Sequence, residues 1–373
     1  MNTPNLKGLT LPELQTFVTS IGEQKYRGKQ LFDWLYLKEA SSFGEMSSLS
    51  KPLRASLEVS ARIDSMRLIE AQISDGDGTE KFLFELHDGK RIESVLIPPR
   101  TAFKSADAGE EEEQKRLTLC VSTQVGCPLD CTFCATATMG FHRNLTAGEI
   151  VDQLLQVKKI SGKKVTNIVY MGMGEPMLNY DQVMNSADIF TVGCKIAAKR
   201  ITLSTAGWVP GIRRMADEKR KMKLAISLHT LDDAKRSELM PINVKYPLAE
   251  LLGAAKYYYT KCKERITFEY ILFDGWNDAE ADIRKLVRLT NDIPCKINII
   301  PFHSIAFTNP TGIARTLRPA TAARAGEFVR RLRESHVTVF VRSSAGEDID
   351  AACGQLAVTL ERKPRAHTSV ISL

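Results

Sequence analysis

The strongest constraint on the fold is a repeated alternation of short β-type runs with longer helical patterns from residue 117 onward. Strands that alternate with helices predict a parallel sheet covered by helices. About six such units would form a partial (β/α)6 TIM-like barrel, with ligands at the carboxyl ends of its strands. The runs rich in β-branched and aromatic residues lie at 117–123, 166–171, 200–205, 224–229, 266–273, 297–302 and 337–341. The helical patterns lie at 147–160, 180–190, 248–262, 279–289 and 320–334.

The N-terminal part of the chain, residues 1–75, predicts a small helical accessory domain. Apolar residues recur at helical spacing over 11–21 and 29–37, and Gly22 and Gly28 separate the two patterns. Basic and aromatic side chains alternate around the second pattern, at Lys25, Tyr26, Arg27, Lys29, Trp34, Tyr36 and Lys38. They predict an RNA-binding surface, although an amphipathic helix with solvated lysine heads would give the same pattern.

The next segment, residues 76–112, predicts a β-hairpin linker and an acidic loop. Strands are expected at 81–86 and 91–97, around the turn signal His87-Asp88-Gly89. The acidic stretch 106–115 is expected to be a solvated loop and is assigned no role. The remaining boundaries are predicted at 113–346 for the α/β core and at 347–373 for a C-terminal segment.

The net charge of the chain favours a polyanionic partner. The 373 residues carry a formal charge of +7, and clustered Lys and Arg neutralise phosphates, although a solvated basic surface is the alternative interpretation. The longest apolar runs, such as 297–302, are far shorter than the ~20 residues of a membrane helix, and the N-terminus lacks a signal-peptide pattern. We therefore expect a cytoplasmic protein with no membrane partner.

Three of the eight cysteines share one short segment, Cys127-Pro-Leu-Asp-Cys131-Thr-Phe-Cys134. A [4Fe–4S] cluster is normally held by four cysteines, so three would leave one iron open to another ligand. Zinc also takes Cys ligands, but structural zinc sites usually have paired CxxC units and a fourth ligand. Eight cysteines are too few for a disulfide scaffold in a chain this long. The isolated cysteines are expected to be buried small apolar residues, namely Cys194, Cys262 and Cys295.

A second motif, Gly172-Met-Gly174-Glu175, follows the strand predicted at 166–171. Its glycines allow a backbone to approach a ligand closely. Alone this is a weak signal, because most Gly-Glu pairs are turns. One strand after the cysteine loop, however, it resembles the segment that holds the methionine amino group of S-adenosylmethionine in radical SAM enzymes, in which the open iron of a [4Fe–4S] cluster binds this molecule and an electron cleaves it.

Within the radical SAM enzymes, the chain most resembles the RlmN family of RNA methyltransferases, which make 2-methyladenosine in 23S rRNA and tRNA. It covers nearly the whole chain, including GEQKYR at 22–27 near the N-terminus. The other segments that carry it are CVSTQVGC at 120–127, GFHRNL at 140–145, GMGEP at 172–176, TLST at 202–205, AISLH at 225–229, PCKIN at 294–298 and DIDAACGQLA at 348–357.

The resemblance implies an indirect methyl transfer through three residues. Adenine C2 is an electron-poor ring carbon, so it cannot attack a sulfonium methyl group directly. Cys353 would accept a methyl group from one S-adenosylmethionine, and a radical from a second would activate it for addition to C2. Cys120 would then release the RNA by forming a transient disulfide with Cys353. Glu93 lies where the family has its proton acceptor; an exposed strand glutamate is the alternative interpretation.

The resemblance also implies the cofactor contacts and the partners. Cys127, Cys131 and Cys134 would hold the cluster. Expected partners are 23S rRNA, at a peptidyl-transferase-centre adenosine, and tRNA, at adenosine 37, with an electron donor such as a flavodoxin system and a cytosolic dithiol reductant. We expect a monomer. The expected contacts with S-adenosylmethionine are Gly174, Glu175, Ser204, Ser227, Leu228, His229 and His303, the last replacing the family's usual asparagine.

Two alternative functions remain at this point. A Cfr-like enzyme would methylate C8 of an rRNA adenine by related chemistry, although Gly140-Phe141 and the ending Gly354-Gln-Leu-Ala357 resemble the C2 family more closely. A zinc-containing RNA-binding protein without catalytic activity would use the same cysteines as structural ligands.

Overall fold

The computed structural model describes residues 3–99, 116–342 and 344–358, together with the backbone of 369–370. The predicted acidic loop at 106–115 therefore lies outside the described residues. No helix in the described part of the chain is long and apolar enough to cross a membrane.

One mixed sheet organises the molecule, and seven neighbouring parallel strands form its centre. Their order is β12-β11-β10-β9-β8-β7-β4, and β3, β2, β1 and β13 continue the sheet beyond β4 in antiparallel pairing. The predicted α/β fold is confirmed, and each of the seven β-type runs predicted from residue 117 onward contains or overlaps one of these parallel strands. The strands of this sheet are β1 (Arg67–Ile73), β2 (Glu80–Glu85), β3 (Arg91–Ile97), β4 (Thr118–Cys120), β7 (Asn167–Tyr170), β8 (Ile201–Thr205), β9 (Lys223–Ser227), β10 (Ile266–Leu272), β11 (Cys295–Pro301), β12 (Val339–Val341) and β13 (Ser369–Val370).

Helices cover this sheet and form the N-terminal region. The helices are α1 (Leu11–Ser20), α2 (Tyr26–Tyr36), α3 (Lys51–Ser60), α4 (Ala147–Ser161), α5 (Tyr180–Val192), α6 (Val209–Asp217), α7 (Asp233–Leu239), α8 (Ile242–Lys245), α9 (Leu248–Cys262), α10 (Glu280–Asp292) and α11 (Ala322–Glu334). Helix α4 has the local signals of a stable helix: a capping box between Thr146 and Glu149, and Gly162 in the left-handed conformation at its end.

The helical prediction for residues 1–75 is wrong at its C-terminal end, because strand β1 lies within it. The strand pairs in antiparallel fashion with β2, the next strand in the chain, and helical periodicity does not reveal such pairing. The N-terminal segment packs closely on α4: a Cβ on Gly8 would lie 2.3 Å from the Gly148 nitrogen. Lys7 and Asp152 add a buried ion pair of 2.8 Å across the same contact.

Candidate active site at the carboxyl ends of the strands

The three clustered cysteines lie in the connection of a small hairpin formed by β5 (Gln124–Gly126) and β6 (Phe141–Asn144). Gly126 has a positive φ of 74°, and a Cβ there would lie 1.8 Å from the Gly140 carbonyl oxygen. The Cys127 amide donates to that same oxygen at 3.0 Å. Only glycine therefore allows the hairpin to close and to hold the cysteine loop above the sheet.

All three thiols line one cavity at the carboxyl ends of the strands. Burial raises the pKa of Cys127 to about 12 and also raises the pKa of Cys131 and of Cys134. Thiols in such surroundings become thiolates when a cation supplies compensating charge. The donor set therefore fits an iron-containing group.

The number of these thiols fits a cluster with one open iron. Three cysteines would bind three irons of a [4Fe–4S] cluster and leave the fourth iron for another ligand, whereas a structural zinc site usually has four protein ligands.

The Gly-Glu motif after β7 forms the neighbouring wall of this cavity. A Cβ on Gly174 would lie 2.5 Å from the side chain of Gln124, so this glycine is required by protein packing as well as by access for a ligand. The buried Glu175 carboxylate accepts hydrogen bonds from the amides of Met177 (3.0 Å) and Ala206 (2.7 Å). Burial raises the pKa of Glu175 to about 7, and its oxygens retain lone pairs for a ligand amine.

Polar side chains from adjacent strands form the floor of the cavity. Ser227, Glu269 and Asn298 are paired across β9, β10 and β11, and the Asn298 amide donates to Glu269 at 2.8 Å. Ser204 of β8 lines the same cavity, whereas the Leu228 side chain is fully buried and does not. Any contact of Leu228 with S-adenosylmethionine would therefore involve its backbone.

Arg236 is a buried cation beneath this floor. Its guanidinium donates to the carbonyl oxygens of Ala206 (2.8 Å) and Ser227 (2.9 Å), and so joins the ends of β8 and β9. Burial lowers the pKa of Arg236 to about 10. The residue sits near Cys131 and contributes positive charge where an anionic cluster would bind.

His229 lines the cavity with a defined tautomer. Its Nδ1 accepts the Ile271 amide at 3.0 Å, and burial lowers the pKa of the imidazole to about 3. The neutral ring must then carry its proton on Nε2. That buried atom has no hydrogen-bond partner among the described residues. It is therefore a donor available to a bound ligand, which fits the predicted contact with S-adenosylmethionine.

The lowered pKa of His229 predicts a pH-dependent stability. In the unfolded chain His229 takes up a proton below pH 6.5, whereas in the folded chain it stays neutral down to about pH 3. The free energy of unfolding therefore falls as the pH drops from 6.5 to 3. At ~1.4 kcal/mol per pH unit, we expect a loss of about 2 kcal/mol at pH 5 relative to pH 7.5. His229→Asn keeps an acceptor and tolerates the positive φ of 59°. In urea titrations it should lack this component, and equal pH dependence in both proteins would contradict the assignment.

The C-terminal segment brings Cys353 to the edge of the cavity. Gly354 accepts the Ala135 amide at 2.7 Å, and Leu356 accepts the Thr136 hydroxyl at 2.6 Å, so the segment is attached to the cysteine loop. On the other side, Lys81 donates to the carbonyl oxygen of Ile349 at 2.5 Å. The Cys353 side chain is exposed to the space between these attachments.

A second, smaller cavity adjoins the first, and Cys353 and Arg342 line both. Cys120 of β4 lines the second one, so both predicted thiols border the same space. Burial raises the pKa of Cys120 to about 12, and desolvation by the surrounding cavity walls raises that of Cys353 although its side chain is exposed to the cavity, whereas the Arg342 charge lowers both. His303 lies in this second cavity, away from the three clustered cysteines.

Glu93 lies on β3, next to the second cavity but not in its wall. The alternative interpretation of an exposed glutamate is wrong, because the side chain is buried and its Oε1 lies 3.7 Å from Lys81 Nζ. Val95 follows on the same face of β3 and is paired with Cys120. Glu93 therefore shares the sheet face of Cys120.

Sequence reasoning missed Glu269, Arg236 and Arg342 because nothing adjacent in the sequence marks them. The signal that could have revealed two of them is a charged residue within or directly after a buried apolar run. Glu269 lies within Ile266–Leu272, and Arg342 directly follows Val339–Val341. Of the isolated cysteines, Cys295 is buried as predicted, but Cys194 and Cys262 are half-buried at the margin of the core.

Comparisons with known proteins agree with this geometry. The radical SAM superfamily model matches residues 121–287, and a model of the ribosomal RNA large subunit methyltransferase N-terminal domain matches residues 4–63. A probable dual-specificity RNA methyltransferase RlmN of Thermotoga neapolitana is 43% identical over 364 residues, covering 96% of this chain and 98% of the relative. The chain belongs to the RlmN family. The RlmN of Geobacter sulfurreducens is also 43% identical, with 96% of this chain and 93% of that protein covered.

A solved structure gives the same result for the fold. A radical SAM methyltransferase from Sphaerobacter thermophilus superposes with a TM-score of 0.82 at 40% identity, covering 95% of this chain and 99% of the other. Membership of the radical SAM superfamily gives this RlmN-family chain a [4Fe–4S] cluster and S-adenosylmethionine as cofactors. The individual ligands and contacts named above stay predictions.

Proposed function

We propose that this protein methylates C2 of adenosine in RNA, with 23S rRNA and tRNA as substrates, through a methylated Cys353. One observation supports it most directly: Cys353 borders both the cavity of the three clustered cysteines and the cavity of Cys120. A residue that first receives a methyl group and later passes it to RNA must reach both of these cavities. The relatives named dual-specificity RNA methyltransferases are consistent with two RNA classes.

Cys127, Cys131 and Cys134 would hold the cluster, and Glu175, Ser227 and His229 Nε2 would bind S-adenosylmethionine by hydrogen bonds. When bound, the cluster would supply the electron for radical formation from S-adenosylmethionine and would accept the electron released after carbon–carbon bond formation.

The residues of the second cavity would carry the methyl group and release the product. The Cys353 thiol loses its proton, attacks the methyl group of S-adenosylmethionine and becomes a methyl thioether, with S-adenosylhomocysteine as the leaving group. A hydrogen atom of that methyl group would pass to the radical from a second S-adenosylmethionine, the remaining carbon bonds to adenine C2, and the adduct loses one electron and, to Glu93, the C2 proton. The Cys120 thiolate then attacks the Cys353 sulfur, so a disulfide forms while the carbon–sulfur bond breaks, and the released carbon takes up a proton to become the product methyl group. A cytosolic dithiol would reduce that disulfide, and a flavodoxin-like protein would supply electrons to the monomeric enzyme.

Arg342 would favour the thiolate of Cys353 in this scheme. A charge beside a thiol typically shifts its pKa by one unit or more, so Arg342→Met should slow methylation of Cys353 roughly tenfold at neutral pH. Arg342→Lys keeps the positive charge, so its rate of Cys353 methylation should fall much less. Intact-protein mass spectrometry during incubation with S-adenosylmethionine measures the rate. Equal methylation rates in the Met and Lys variants would show that the positive charge at position 342 does not assist the Cys353 thiolate.

Nucleoside analysis tests the function as a whole. Mass spectrometry of rRNA and tRNA from cells with and without the gene should show 2-methyladenosine that depends on the gene. Appearance of 8-methyladenosine instead would assign the Cfr-like reaction. Loss from only one RNA class would restrict the substrate. Unchanged nucleosides in both classes would overturn the proposal.

A further inference from the structure

Basic residues are concentrated in four connections of the α/β core, at 158–166, 193–200, 217–223 and 261–265. Together these segments contain fourteen Lys and Arg against three acidic residues, which is a net charge of +11. Because the whole chain carries +7, all other residues together are net negative. The net positive charge of this protein therefore comes from these four segments, which we call the basic edge.

The basic edge lies at the end of the sheet opposite the active site. Its four segments lead into β7, β8, β9 and β10, which are neighbours in the sheet and run parallel. Their N-terminal ends are thus side by side, whereas the cysteines lie beyond the carboxyl ends. Adjacent strands are ~4.8 Å apart, so the four segments form a row along one edge.

Several cations of the row are exposed and form no ion pair with the described residues. Lys158 pairs with Glu39, and Arg220 pairs with Asp188 and Glu218. By contrast, the exposed basic residues without an ion pair to any carboxylate of the described residues include Lys199, Lys219, Lys221, Lys261 and Lys263. One basic residue at a helix C-terminus is enough to interact with the helix dipole. Each of these segments has three or four basic residues, so the helix dipole alone does not explain their number.

Aromatic rings and the N-terminal region adjoin this row. Lys261 lies 5.4 Å from the Tyr257 ring and Lys263 lies 5.9 Å from the Tyr259 ring, an arrangement that suits both phosphates and bases. Helix α2 packs beside it, because Gly193 contacts Phe32 and Tyr36. The basic edge is therefore continuous with the helix predicted to bind RNA.

We propose that the basic edge binds the phosphate backbone of the substrate RNA at a distance from the adenine being methylated. The inference rests on the proposed function for the identity of the polyanion. The row consists mainly of cations, which bind phosphates, so the contact would be independent of sequence and sensitive to salt. A folded RNA would reach both the active site and this edge, whereas a short hairpin would reach only the active site.

The test is equilibrium binding of a fluorescent full-length tRNA transcript and of its isolated anticodon hairpin at several salt concentrations. The variant Lys199→Gln/Lys221→Gln/Lys263→Gln removes one cation from each of three segments. Each phosphate contact contributes ~0.7–0.9 to the slope of log affinity against log salt. We expect the slope for tRNA to fall by about 2 and affinity to fall roughly tenfold, with hairpin binding unchanged. The matched control is Arg284→Gln/Arg288→Gln/Arg315→Gln, exposed residues outside both the basic edge and the N-terminal region, with the same charge change.

Three outcomes would overturn the proposal: an unchanged slope for tRNA, an equal slope change in the control, or an equal loss with the hairpin. Anionic phosphatidylserine vesicles form a separate arm, and a loss of vesicle binding with tRNA binding intact would assign the edge to membranes instead. Thermal melting of each variant checks that the exposed substitutions leave the fold intact. Binding is measured without turnover, so a failure to form methyladenosine would count against the proposed function and not against this surface.

Discussion

Replacement of Cys353 by alanine is expected to abolish RNA methylation while leaving the cluster and the cleavage of S-adenosylmethionine intact. The reason is geometric: Cys353 borders both cavities, whereas the three clustered cysteines hold their positions through the β5–β6 hairpin. Without this thiol no methyl group can be carried from one cavity to the other. We expect at least a thousandfold loss, because direct attack by adenine C2 is not available.

Three measurements separate these effects in the anaerobically reconstituted variant. Iron and sulfide content should equal that of the wild type, and release of 5′-deoxyadenosine should persist when electrons are supplied. Methyladenosine should be absent. Cys194→Ala is the matched control, since it removes a half-buried thiol outside the site and should retain activity. Methylated RNA from the Cys353 variant would remove this residue from the mechanism.

Replacement of Cys120 by alanine is expected to trap a covalent complex between protein and RNA. Cys120 lines the second cavity with Cys353, and in the proposed sequence only its attack on the Cys353 sulfur releases the product. The alanine variant can still accept a methyl group and bond it to adenine. It should then stop, with most of the active protein attached to RNA after one turnover.

Denaturing electrophoresis with labelled RNA detects the complex, and nuclease digestion followed by mass spectrometry locates the link on Cys353. The double variant Cys120→Ala/Cys353→Ala should give no complex. Cys295→Ala, a buried thiol of β11, should turn over normally. Recovery of free RNA alone from the Cys120 variant, whether methylated or not, would contradict its assigned role.

The α/β core could be predicted from sequence because each of its strands is a short apolar run between helices. The predicted runs at 166–171 and 266–273 contain β7 and β10, and the run at 297–302 overlaps β11, which begins two residues earlier. Strand β1 was missed since its alternation becomes informative only beside β2. The β5–β6 hairpin was missed for a related reason, because its three- and four-residue strands are too short to show periodicity.

In the candidate site, the residues that belong to short sequence motifs could be predicted. The residues that come together only in the folded chain could not. Cys127, Cys131 and Cys134 lie within eight residues and line one cavity, as expected. Arg342 approaches Cys120 and Cys353 only after β12 joins the sheet beside β11. The buried state of Glu93 likewise depends on β2 and on the C-terminal segment, which cover it from outside its own strand.

The attachment of Gly354 and Leu356 to Ala135 and Thr136 ties the segment that carries Cys353 to the loop of the three clustered cysteines. Any displacement of that loop would therefore displace Cys353 as well. The two cavities thus depend on one connected piece of backbone, and a substitution that disturbs the loop is expected to disturb the position of the Cys353 thiol too.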